Sequence, residues 1–346
     1  QDSIIRPEKF GVDIVIHPER AACEEILRLV KHPYAVQVMD FEAGRLTMLG
    51  LTIDIENYDK INHQNLKDLA KSNNHFRFVV IAVLRNQETI VPKSDFKFEI
   101  GDIGFFAVKT EDIQKLLKLL FKEISTSNRI MIIGGGKIGR TLAKELPNES
   151  VNVRLIDYNR PKAGKISQSI DESMIIHGDG TDIEFLKSEN IQNVDCFISV
   201  TENEKTNLIA GLLAKHLGAR QSIIHVSTTE YIPTIQEIGA GAVISKNLST
   251  VNVILRHLYT DMTKTKVFTF DEIDVDVIEF QPEPNSPVTK RTLKELDFPS
   301  ESIVGMINHN GKVRIADGDS ILTDDDTALV FAKPKAINKL KKLFMK

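Results

Sequence analysis

The sequence predicts an α/β protein in which a parallel-sheet lobe is followed by a small, β-rich α+β lobe, the pair forming the complete half of a tandem duplication. Three observations predict it. Between residues 129 and 258 short apolar runs alternate with helical patterns, as parallel strands joined by crossover helices require. A glycine-rich turn, "GGGKIG" from Gly134, separates one such run from the helix after it. Two stretches also recur at long range. "GVDIVIHPERAACEEILRLV" from Gly11 matches "GAGAVISKNLSTVNVILRHL" from Gly239 at an offset of about 228 residues, and "PKSDFKFEIGDIGFFAVKTEDIQKLLKLLF" from Pro92 matches "ADGDSILTDDDTALVFAKPKAINKLKKLFM" from Ala316 at about 224.

The elements follow in order. Gly11 matches a point near the end of the second copy's parallel-sheet lobe, so the first copy is expected to be incomplete. The start "QDSIIRPEKF" has neither an initiator Met nor a signal-peptide pattern and is expected to lie part-way through a longer gene product. Spans 41–108 and 266–332 read as β-rich units, each closed by an amphipathic helix with Leu or Ile at helical spacing. "KEISTSN" at 122–128 reads as the linker between copies. Strands are expected at 130–133, 153–156, 174–176, 196–200, 223–226 and 242–244, with helices between them.

Composition narrows the function. A formal net charge of −4 supplies no general attraction for phosphate backbones, so no nucleic-acid partner is expected. The longest apolar runs, such as "FVVIAVL" from Phe78, are strand-sized and fall far short of the roughly 20 residues that cross a bilayer. Cys23 and Cys196, far apart within apolar segments, read as packing residues, which fits a reducing cytoplasm.

Gly134, Gly136 and Gly139 form a G-x-G-x-x-G directly after a strand and at the start of a helix. The first glycine permits the tight turn, the second lets the backbone approach a pyrophosphate, and the third lets the helix pack on the strand. Free N–H groups and the helix dipole then face the phosphates. Asp157 ends the next strand, where a carboxylate accepts hydrogen bonds from ribose hydroxyls and repels a 2′-phosphate. That favours a free ribose over NADP, although Arg160 offers a guanidinium nearby. "HGDGTD" from His177 follows the third strand. There Asp179 either meets the ribose or adenine or belongs to a polar turn capping the next helix, and His177 reads as a solvated turn residue. "VTENEKTN" from Val200 follows the fourth strand; Thr201 lines the crevice while Asn203 or Glu204 caps the helix. Asp324, Asp325 and Asp326 read most simply as a solvated turn, with a cation site as the weaker alternative. No proton donor or base of a dehydrogenase accompanies these residues, and no P-loop, H-E-x-x-H or G-x-S-x-G pattern occurs. The nucleotide is expected to be sensed rather than consumed.

"IMIIGGGKIGRTLAKEL", Asp157 with Arg160, "GDGTD", "FISVTENEKTNLIAGLLAKHLGA" and "GAGAVISKNL" together resemble the Rossmann-like nucleotide lobe of a regulator of potassium conductance (RCK) domain. The duplicated arrangement is similar to the TrkA family of peripheral potassium-uptake subunits, with TrkA-N and TrkA-C lobes in tandem and the first copy truncated. The resemblance implies a tail of a first nucleotide lobe at 1–31, comprising its last strand and following helix. A first TrkA-C-like lobe would follow at 32–123, a second nucleotide lobe at 128–260 and a second TrkA-C-like lobe at 261–346. It implies a cytoplasmic homo-oligomeric ring, peripheral on the inner face of the cell membrane beneath a TrkH- or TrkG-like potassium-transporting subunit. NAD or NADH, or else ATP or ADP, would bind through Gly134, Gly136, Lys137, Ile138, Gly139, Asp157, Arg160, Asp179, Gly180 and Thr201, with no catalytic residue and no metal. Lys137 stands where relatives often carry an Arg that reaches a phosphate, and Glu19 stands where relatives place a carboxylate near the nucleotide or a cation. Two alternatives are a soluble NAD-dependent oxidoreductase and a protein whose β-rich lobes are the principal sensors.

Overall fold

The computed structural model describes residues 11–61, 64–73, 75–122, 124, 126–148, 150–262, 267–270 and 273–345. The chain divides into two compact units, each drawn from two separated stretches: Gln1–Pro33 with Thr126–His257, and Tyr34–Ser125 with Leu258–Lys346.

Helix α1 (Pro18–Lys31) belongs to the first unit and starts on a proline, whose fixed φ suits the first helical turn. Its apolar face, with Cys23, Ile26 and Leu29, is buried. The strand expected before it does not form. Residues 12–16 pair with no strand among the described residues, and Val12, Ile14 and Val15 are exposed. A strand needs a neighbour for its backbone groups, and among the described residues this segment has none.

The second unit begins with β1 (Ala35–Phe41), β2 (Leu46–Thr52), α2 (Ile55–Ile61), α3 (Leu66–Lys71), β3 (Phe78–Arg85), β4 (Glu88–Ile90), β5 (Ile103–Lys109) and α4 (Ile113–Leu120). The strands form an antiparallel sheet in the order β1-β2-β5-β3-β4.

The parallel sheet of the first unit follows: β6 (Arg129–Ile133), α5 (Lys137–Glu145), β7 (Asn152–Asp157), α6 (Arg160–Ser167), β8 (Met174–His177), α7 (Ile183–Ser188), β9 (Cys196–Ser199), α8 (Glu204–His216), β10 (Gln221–Val226), α9 (Ile232–Glu237), β11 (Ala242–Ser245) and α10 (Lys246–Met262). All six expected strands are present, in the order β11-β10-β9-β6-β7-β8. Chain direction across the sheet reverses between β6 and β9, the switch point at which ligands of such sheets gather. Met131, Ile133, Ile156 and Phe197 are buried with Leu186, Ala210 and Ala214, and α1 packs on α5 and against β11.

The chain then completes the second unit with β12 (Val267–Phe270), β13 (Val275–Phe280), β14 (Ser302–His309), β15 (Lys312–Ile315), β16 (Asp326–Ala332) and α11 (Ile337–Phe344). Their order, β12-β13-β16-β14-β15, repeats that of the first antiparallel sheet. The repeat extends to irregularities. The register breaks between Val80 and Ala82 in β3 and between Val304 and Met306 in β14, and the two-residue hairpin turns Asn86-Gln87 and Asn310-Gly311 all have positive φ. That backbone matches the twist of the flanking strands. Phe41, Leu46, Met48 and Phe105 of the first sheet share one core with Val275, Val277, Met306 and Phe331 of the second, Phe41 meeting Phe331 edge-to-face at 6.1 Å. The other face of the second sheet buries Leu340 and Phe344 of α11. Asp326 is not part of a solvated turn: it is buried and accepts hydrogen bonds from His309 Nδ1 (2.7 Å) and the Thr323 N–H (2.8 Å). Among the described residues no helix is long and apolar enough to cross a membrane.

Candidate functional site

Sequence-predicted residues meet at the C-terminal edge of the parallel sheet, around the turn from β6 into α5. Gly134 has φ +107°, and its N–H donates to the Ile156 carbonyl of β7 (2.8 Å). A Cβ there would stand 2.9 Å from the backbone of Val200 and Thr201, so only glycine lets the turn pass the end of β9. A Cβ on Gly139 would lie 2.0 Å from the Gly134 carbonyl oxygen, which explains how closely α5 sits on its strand. Gly136 differs. A Cβ there would meet nothing within 4 Å, and no side chain caps α5. The first turn of that nine-residue helix leaves N–H groups without an intrahelical partner, and the space that a side chain at Gly136 would take is open.

Ile138 is buried, so its side chain belongs to the packing of α5. Lys137 is turned toward α1, its Nζ 3.6 Å from Glu19 Oε1. The backbone of Glu19 at the start of its helix holds that carboxylate below its ordinary value, with Lys137 and Lys246 adding to the effect. Glu19 thus meets Lys137 directly.

Asp157 is 2% exposed at the end of β7. Its Oδ2 accepts from the Gly135 N–H (2.8 Å) and pairs with Lys162 Nζ (2.8 Å), while Oδ1 accepts from the Asn159 N–H (2.9 Å). Burial pushes this carboxyl up, but Lys162 and the two N–H donors outweigh burial and hold it below the usual carboxylate value. Arg160 opens α6 on the surface; the cation that reaches Asp157 is Lys162.

Gly180 packs on Ile133, where a Cβ would come within 2.6 Å of its side chain. Asp179 is exposed, and its carboxylate closes a turn by accepting from the Thr181 N–H (2.8 Å) and hydroxyl (2.7 Å), while Asp182 caps α7. Thr201 donates both its N–H (2.8 Å) and its hydroxyl (2.6 Å) to Asn207 Oδ1. Asn207, fully buried on α8, returns its amide to the carbonyls of Thr201 (3.0 Å) and His225 (2.9 Å), pinning the loop after β9 to the end of β10. Asn203 caps α8, and Glu204 instead crosses to the N–H groups of Ser227 and Thr228. Sequence reasoning misses Lys162 and Asn207. A lysine one turn into a helix looks like any solvated cation; an asparagine on the inward face of α8 is the one available signal.

Residues 130–246 match the TrkA-N domain family and residues 277–345 the TrkA-C domain family. Over 341 residues the chain is 30% identical to the Trk system potassium uptake protein TrkA homolog of Archaeoglobus fulgidus, spanning 99% of this chain and 76% of that one. Over 337 residues it is 29% identical to TrkA homolog 2 of Methanosarcina mazei, spanning 97% and 74% respectively. Among solved structures, the GsuK RCK domain is similar at a TM-score of 0.53 and 17% identity, over 97% of this chain and 71% of that one. The GsuK channel bound to NAD is similar at 0.51 and 17%, over 97% and 59%.

Proposed function

The chain belongs to the TrkA family of Trk system potassium uptake proteins, and from that premise we propose that it is a nucleotide-sensing gating subunit of a Trk-type potassium uptake system. The observation that carries the reading is the start of α5 at Gly136, which no N-cap side chain closes and beside which there is room, at the switch point of the sheet. A pyrophosphate fits that chemistry. Gly134, Gly136 and Gly139 shape the cradle, the N–H groups of Lys137 and Ile138 face the phosphates, and Asp157 with Arg160 stands at the ribose. Asp179, Gly180 and Thr201 border the remainder. The ligand class is NAD(H) or ATP/ADP, supported by the NAD named for the GsuK channel.

The domains are proposed as a first-lobe tail at 1–31, TrkA-C-like lobes at 32–123 and 261–346, and the nucleotide lobe at 128–260. In this reading the chain assembles as a ring on the cytoplasmic side of a TrkH- or TrkG-like transporter and consumes no ligand. Gating then requires only that the nucleotide bind two ring shapes with different affinity; equal affinity shifts nothing.

Titration calorimetry of NAD, NADH, ATP and ADP into the chain and its Gly136→Asp variant tests the reading, followed by potassium flux in reconstituted vesicles. Binding that the carboxylate abolishes, with flux responding to the same nucleotide, is the expected result. Unchanged binding in the variant, or turnover of NADH, removes it.

A further inference from the structure

The ribose end of the crevice is built differently from a simple carboxylate acceptor. Three internal donors surround Asp157: the Gly135 N–H, the Asn159 N–H and the Lys162 ammonium, all within 2.9 Å. Two carboxylate oxygens offer about four acceptor sites, so roughly one remains for a ribose hydroxyl. The ammonium has the opposite surplus. Lys162 uses one of its three donors on Asp157, and its side chain is 43% exposed, against 2% for the acid. Solvent at this edge therefore meets the cation rather than the anion. Arg160 and Lys165 lie exposed on the same helix, α6, and on the adjoining strand His177 is the register partner of Asp157, its Nε2 3.1 Å from the Tyr158 carbonyl. Asp179, the acid next in line, is turned onto Thr181.

An isolated carboxylate at this position rejects a 2′-phosphate by repulsion, the basis on which the sequence favours an unphosphorylated ribose. Here the carboxylate is compensated at contact distance, and the outward-facing charge is positive. We propose that Lys162 reverses the discrimination and makes the crevice a site for 2′-phosphorylated dinucleotides, NADP(H), as well as NAD(H). The proposal rests on the nucleotide reading of the same crevice. Lys162 donates to the 2′-phosphate while keeping Asp157 on the Gly135 N–H, and Arg160 adds a second, outer donor.

The test is calorimetric titration of NAD and NADP into the purified chain and into Lys162→Met, at two salt concentrations. The expected result is NADP affinity within about tenfold of NAD in the parent chain, falling more steeply with salt, and a gap that widens by about tenfold or more in the variant. NAD binding with NADP weaker by more than about tenfold in the parent chain overturns the proposal, whether or not the variant folds. Equal weakening of both ligands in Lys162→Met also overturns it, since Lys162 would then only position Asp157. Binding of no nucleotide at all defeats the underlying reading, a separate and recognisable failure.

Discussion

At the scale of single residues, the three glycines of the turn are not equivalent, and stability separates them. Gly139→Ala drives a methyl into the Gly134 carbonyl oxygen and is expected to cost several kcal/mol, whereas Gly136→Ala enters open space and is expected to cost about 1 kcal/mol or less. Thermal melts of the two variants check this; the reverse order would mean that the helix does not sit on the strand as described. Asp157 carries a pH signature. Its folded-state value lies below the ordinary one, so it stabilises the fold above the ordinary carboxylate range, and that contribution is lost as pH falls through the folded value. Asp157→Asn is thus expected to lower stability by about 1–3 kcal/mol near neutrality, the deficit shrinking on acidification below about pH 4. Melts from pH 7 to pH 3 follow it, and a gap that widens on acidification contradicts the pairing with Lys162. Much of this neighbourhood is legible from residue types alone: a run of β-formers, three glycines and an acid at the next strand end have one common geometry. The Lys162 pairing and the Asn207 bridge are not legible, because each depends on the course the chain takes beyond a strand end, β7 for the first and β9 for the second.

At the scale of elements, α1 separates pattern from placement. Its apolar periodicity is plain in the sequence, and Leu29 and Ile26 are fully buried as that periodicity requires. The sequence relates it to a first nucleotide lobe, yet α1 covers α5 of the second copy and buries Cys23 against the Ile138 carbonyl. A helix buries its apolar stripe wherever a complementary face is offered, and sequence periodicity carries no address. Burial also pushes the Cys23 thiol up to about 11. Leu29→Ala is expected to cost about 2–5 kcal/mol and to loosen α1. Ellman's reagent reports it, since Cys23 should resist labelling in the parent chain and react measurably faster in the variant. Equal rates would show that α1 is not held by this face. The missing strand at 12–16 has the same origin: alternation of apolar residues specifies extended backbone, but only a neighbouring strand makes it a sheet member.

At the scale of the whole molecule, duplication is the organising fact, and it reaches beyond sequence similarity to a shared strand order, a shared bulge and a shared hairpin turn. The offset is legible in the sequence. That the two antiparallel sheets close on each other through one core is not, because each reads as a self-sufficient lobe until its inner face is counted. Residues 266–346 expressed alone would present Val275, Val277, Met306 and Phe331 uncovered, an apolar face of the kind that drives association. Size-exclusion chromatography with light scattering is expected to show a dimer or larger species, and a well-behaved monomer would refute the shared core. The chain also enters this unit, leaves it at residue 125 and returns only at 258. On the ribosome, then, the first sheet emerges long before its lid exists. At roughly 5–20 residues per second the nascent face waits on the order of ten to forty seconds for translation to deliver its twin. Biogenesis thereby acquires a vulnerability that equilibrium stability does not register, and a variant that refolds well from denaturant can still be lost to aggregation during synthesis.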